Sequence, residues 1–83
     1  MANLERVWDR LYEKREPRVP LHLADFADLE ISSDELGGYI EGLLEEGYVV
    51  GHVHTSGDDK AVDDVSAYLT EKGIAEYIRK QVS

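Results

Sequence analysis

The chain has 83 residues, no cysteine, 42% apolar residues and a formal net charge of −9. That length holds one domain with a single small core and excludes a second. The lack of cysteine excludes a disulfide framework and any thiolate nucleophile or metal site, and no long apolar run, signal-type segment or lipidation motif points to a membrane, so a soluble, cytoplasmic protein is expected.

Leu4, Val7, Trp8, Leu11 and Tyr12 recur at helical spacing, which predicts a first helix from about Asn3 to Arg15 with Asn3 as its N-cap. Pro17 and Pro20 stop it and push Arg18 and Val19 toward extended geometry, leaving a short strand or bridge at Val19 to Leu21. Leu23, Phe26, Ala27 and Leu29 suggest a short second helix, after which Ile31 enters a turn. Ser32 and Glu35 form a capping box for a third helix: the hydroxyl accepts from an early helical N–H while Glu35 reaches back to the cap. Leu36, Ile40, Leu43 and Leu44 make its apolar face, and Gly47 is placed to end it in left-handed geometry.

Tyr48 to His54 and Val65 to Leu69 carry strand patterns, and the polar "TSGDDKAVDD" between them predicts a hairpin with a long tip. Thr70 caps a last helix with Ile74, Tyr77, Ile78 and Val82 on one side, while Arg79 and Lys80 suit its C-terminal end. The expected order is α-β-α-α-β-β-α over residues 1–83, an α+β domain without repeat or linker.

That order, with "SSDELGGYIEGLLEEGYVV" and the closing "YLTEKGIAEYI", resembles the winged-helix family. It is especially similar to the small phage-associated or bacterial winged-helix proteins of the YjcQ type, and more loosely to PadR- and MarR-like regulators. The resemblance spans nearly the whole chain and implies a three-helix core, a β-hairpin wing, a C-terminal helix and a role in transcription regulation. It also implies that the third helix addresses the DNA major groove while the wing touches the flanking backbone. Carried onto this chain, the few plausible DNA contacts are Ser33 and Tyr39 on the helix and His52, His54 and Lys60 on the wing.

Charge points elsewhere. Residues 1–18 carry five bases against four acids and residues 60–83 four of each, whereas residues 19–59 carry ten acids and no base. At about 100° per residue the outward side of the third helix centres on Asp34, Gly38, Glu41 and Glu45, flanked by Glu35 and Gly42. A carboxylate about 4 Å from a phosphate is repelled by roughly 1 kcal/mol even in bulk water. Affinity for DNA needs cations that release counterions, and none stands on this helix.

Asp34, Gly38, Glu41, Gly42 and Glu45 therefore read as a docking face for a basic protein partner, such as a nucleic-acid-binding protein whose site it covers. The alternative is a DNA-binding regulator working in a high-salt cytoplasm, where screening is short-ranged. A stripe of Arg6, Arg10 and Lys14 on the first helix offers DNA a second surface, but interleaved acids make it an ordinary mixed-charge face. The chain is expected to be a monomer, or a salt-sensitive homodimer in which basic terminal helices of one copy meet the acidic middle of another.

Gly37, Gly38 and Gly42 each cost about 1 kcal/mol in helix propensity. Gly38 and Gly42 either let another backbone approach closely or are locally tolerated. His52 and His54 share a strand face, a spacing found in some metal sites, but a third ligand such as Asp58, Asp63 or His22 would be needed, so no metal is assigned. The pairs Asp58–Asp59 and Asp63–Asp64 read as solubilising, edge-protecting charges. With no phosphate loop, nucleophile elbow or thiol, no enzyme activity and no cofactor are expected.

Overall fold

A computed structural model describes residues 3–57 and 61–82. Helix α1 spans Asn3–Glu13, a 3₁₀ helix Leu23–Leu29, α2 Ser33–Glu46, strands β1 Val49–Ser56 and β2 Ala61–Leu69, and α3 Glu71–Val82. Mixed helix and strand is the expected class. The periodicity of α1 puts Val7, Trp8 and Leu11 in the core, with Leu4 and Tyr12 packed at its edge. The helix closes two residues earlier than expected, in a tight turn where Arg15 N–H donates to the Tyr12 carbonyl at 3.2 Å.

Leu21, Phe26 from the 3₁₀ helix, Leu36, Ile40 and Leu43 from α2, and Val49, Val65, Ala67 and Leu69 from the hairpin complete one core. Among the described residues no polar side chain is buried in it, so burial of apolar area alone drives its formation. The expected strand at Val19 to Leu21 shrinks to a single bridge, in which Leu21 and Ala67 exchange backbone hydrogen bonds at 2.7 and 3.1 Å. Pro17 and Pro20, both just before Leu21, have no N–H with which to extend it.

β1 and β2 pair antiparallel from Val49↔Leu69 to Ser56↔Ala61. Pairing continues well beyond the strand ends read from sequence, because a bulge absorbs the polar stretch: His54 faces Asp64 and Thr55 faces Val62, leaving Asp63 without an opposite residue. The long tip is thus corrected to residues 57–60, of which 58–60, including Asp58, Asp59 and Lys60, lie outside the described residues.

Thr70 caps α3 as expected, its Oγ1 accepting from Gly73 N–H at 3.0 Å. The apolar side of α3 differs: Ile74 and Tyr77 pack against the core, while Ile78 and Val82 are exposed, Val82 by 80%. The helix docks through its first turns, where Gly73 lies so close to the Tyr48 carbonyl that a Cβ would come within 2.1 Å of its oxygen.

Candidate functional site

The site is built around α2, which is fixed at both ends. Ser32 Oγ accepts from Glu35 N–H at 3.2 Å, and Gly47 takes φ 80° so that its own N–H and that of Tyr48 reach back to the Leu44 and Leu43 carbonyls. Lys72 Nζ, from α3, donates to the Glu46 carbonyl at 2.7 Å. Half of the expected capping box is formed. Glu35 Oε2 accepts instead from Asn3 Nδ2 at 2.9 Å and from the Tyr39 hydroxyl, which ties α2 to α1; Asn3, expected as the N-cap of α1, is instead its first helical residue, and its Oδ1 accepts from the Arg6 guanidinium. The Tyr39 bond, then the Asn3 bond, holds the Glu35 carboxyl below its ordinary value, and the same contact raises the Tyr39 hydroxyl.

The glycines of α2 separate into two kinds. A Cβ on Gly37 would lie 2.6 Å from Val62 Cγ2 and 3.4 Å from Val53 Cγ1, so glycine is what lets the hairpin's inner face close on the helix. Gly38 and Gly42 have nothing within 4 Å of an added Cβ. They leave a bare stripe, one turn apart, on the exposed side.

Asp34, Glu41 and Glu45 are exposed, as expected, but are not equivalent. Asp34 Oδ1 accepts from Val62 N–H at 3.0 Å and so helps hold the hairpin. Glu41 and Glu45 have no side-chain partner among the described residues, and Glu46 is exposed beside them. This part of the surface is carboxylate and open backbone.

Beside the bare stripe lies a groove of about 310 Å³ between α1, α2 and the last turn of α3. Leu4 and Trp8 form its α1 wall, Tyr39 and Leu43 line it from α2, and Tyr48 lines it from the turn just before β1. Glu46 and Lys80 give its lining one charge of each sign. Trp8 is the centre of an aromatic cluster, with Tyr48 at 5.3 Å and Tyr77 at 6.4 Å between ring centroids, and Tyr77 stacks in turn on Tyr12 at 4.4 Å. Cations cover these rings: Lys80 Nζ sits 4.7 Å from the Trp8 centroid, Lys72 Nζ 5.3 Å from Tyr48, and the Arg15 guanidinium 3.9 Å from Tyr12. Sequence reasoning missed this groove. Its signal was the sharing of aromatic rings between the first and last helices, Trp8 and Tyr12 against Tyr77, with Lys80 three residues beyond.

Among the described residues, those expected to meet DNA do not form one surface. Ser33 is half-buried, seven residues before Ile40 and so on the core side of α2. Tyr39 faces the groove with its hydroxyl engaged. Val53 meets α2 from the hairpin's inner face, so strand alternation turns His52 and His54 to the outer one, where their rings lie 4.2 Å apart, edge to face. His22 is held by Asp64, which also accepts from the backbone N–H of Leu23 and Val65 at 3.0 and 2.8 Å. Among the described residues no three His, Asp or Glu side chains converge as metal ligands. The basic stripe is committed as well: Arg10 forms a two-pronged contact with Asp28 at 2.7 and 2.8 Å and also donates to the Asp25 carbonyl, latching α1 to the 3₁₀ helix. Arg6 bonds Asn3.

The fold and groove define a small α+β domain with an acidic helix face beside an aromatic cleft. Against known protein families, curated proteins and solved structures, the chain finds no match. Among the described residues, no helix is long and apolar enough to cross a membrane.

Proposed function

We propose that the chain is a small, non-enzymatic protein of the winged-helix, transcription-regulator type that works by docking a basic protein partner on α2. The order of α1, bridge, 3₁₀ helix, capped α2 and hairpin supports the winged-helix reading. The observation that carries the docking reading is the outward side of α2, where Glu41 and Glu45 stand exposed beside Gly38 and Gly42. A groove-reading helix needs cations there, but α2 carries none, and those from neighbouring helices are engaged: Lys72 on the Glu46 carbonyl, Lys80 over the Trp8 ring and Arg10 on Asp28. A basic surface meets the same carboxylates with the favourable sign, which speeds encounter and fixes orientation.

The test is a pair of titrations across salt concentration, one with random-sequence duplex DNA and one with polylysine. No DNA binding at low salt is expected, together with polylysine binding that weakens in Glu41→Gln/Glu45→Gln. DNA affinity at low salt with a steep negative salt slope overturns the reading in favour of a DNA-binding regulator. Polylysine binding indifferent to the two glutamates removes α2 as the docking face.

A further inference from the structure

We infer that the groove between α1, α2 and the end of α3 seats a basic amphipathic helix of the partner, with one of its Lys or Arg side chains laid over Trp8 where Lys80 now lies. This rests on the docking reading above and specifies what is held and how.

Three independent features select this occupant. The stripe at Gly38 and Gly42 is open space in a helix that pays for it in propensity, and small residues one turn apart are what allow a second helix backbone to come close. The groove's aromatic wall already carries a cation, Lys80 Nζ at 4.7 Å from the Trp8 centroid, so the surface that would receive a partner's ammonium or guanidinium is occupied by a stand-in of the same chemistry. Its acidic side, Glu41, Glu45 and Glu46, has no cation from α2 to neutralise it. At about 310 Å³ the groove lies at the small end of the range for ligand pockets and has room for a side chain or two of a partner.

A second copy of this chain is the poorer occupant. Two molecules of net charge −9 repel, and Arg79, the base beside Lys80 on α3, is already paired with Glu76 at 2.5 Å. An incoming basic helix exchanges one cation–aromatic contact for another at Trp8. Its net gain comes from pairing with the glutamates and from close backbone approach over the glycines.

The probe is a capped, helix-forming peptide of about 16 residues with Ala and Leu on one face and Lys on the other. Trp8, the chain's only tryptophan, reports on it by fluorescence. A saturable change in Trp8 emission is expected, with affinity that rises several-fold in Lys80→Ala, where the internal competitor is gone. Gly38→Ala/Gly42→Ala, whose added methyl groups meet nothing in the chain itself, is expected to stay folded and to bind at least about tenfold more weakly, a loss of about 1.4 kcal/mol. A peptide of the same composition scrambled to destroy the helical face is expected to bind more weakly than the ordered one.

If the peptide binds through Glu41 and Glu45 but leaves Trp8 emission and the glycine variant unchanged, the groove inference is overturned while the docking reading stands. If the peptide fails to bind and duplex DNA binds, both fall. Self-association without peptide that the glycine variant abolishes assigns the groove to a second copy and also overturns the inference.

Discussion

The same added methyl group should have opposite effects at neighbouring positions of α2. Gly38→Ala places its Cβ in open space, so only helix propensity changes, and stability should rise by about 1 kcal/mol. Gly37→Ala gains the same propensity but puts its Cβ 2.6 Å from Val62 Cγ2, about an ångström inside normal carbon–carbon contact. Val62 cannot easily yield. Its β-branched side chain is stiff at χ1, and its backbone N–H is bonded to Asp34 Oδ1 at 3.0 Å, so the hairpin itself must shift. Overpacking of this kind costs about 1–3 kcal/mol, which is therefore the expected stability difference between the two variants. Urea unfolding followed by Trp8 fluorescence resolves it, and in a domain of this size each kcal/mol moves the thermal midpoint by about 4–8 °C. Equal stabilisation by both substitutions would refute the placement of the hairpin's inner face on α2. A loss of stability in Gly38→Ala would refute the open stripe.

Thr70→Ala should lower stability by about 1 kcal/mol, since Thr70 Oγ1 caps α3 through Gly73 N–H and also donates to the Gly47 and Tyr48 carbonyls; Thr70→Ser, which keeps the hydroxyl, should restore most of it in the same denaturation assay. Asp64 is held below its ordinary 3.8 chiefly by the Leu23 N–H, so its contribution is full above that value and is lost as pH falls through the lower folded one; the slope of melting temperature against pH in that acid range should flatten in Asp64→Asn. Tyr77, pushed up to about 12 by its hydrogen bond to Asp9, holds its proton more tightly folded than unfolded. Its contribution is therefore complete below pH 10 and lost as pH rises toward 12, and ultraviolet titration should show a late-ionising tyrosine that disappears in Tyr77→Phe.

What could be read from the sequence was whatever local rules determine. Ser32, Gly47 and Thr70 sit at helix ends for reasons contained within a few residues, and the stripe from Leu4 to Tyr12 names its own buried face. The outward position of Glu41 and Glu45 followed from the same periodicity. Contacts between distant segments were not legible. Glu35 is shared between its own cap and Asn3, 32 positions away, and only the tertiary structure decides for Asn3. The meaning of the three α2 glycines likewise depended on Val62, across the hairpin. The bulge at Asp63 hid a longer ladder behind a polar run that local propensity reads as loop. Ile78 and Val82 have the right helical spacing for a core face but too little core beneath them.

β1 is the outer member of its sheet: β2 pairs with it on one side and with Leu21 on the other, so among the described residues the far edge of β1 has no partner strand. Over its eight residues, VVGHVHTS, it carries no Lys, Arg, Asp or Glu, the side chains that usually discourage edge-to-edge addition. Gly51, at φ 144°, and the irregularity after His54 keep the edge from being flat. The remaining protection is mutual repulsion between molecules of net charge −9, which acts over only about 10 Å at 0.1 M salt and fades further as salt is added. The acidity that suits α2 to a basic partner thus also acts as a colloidal safeguard for the hairpin, and a mutant relieved of its carboxylates to study binding would bring its bare strands within reach of one another.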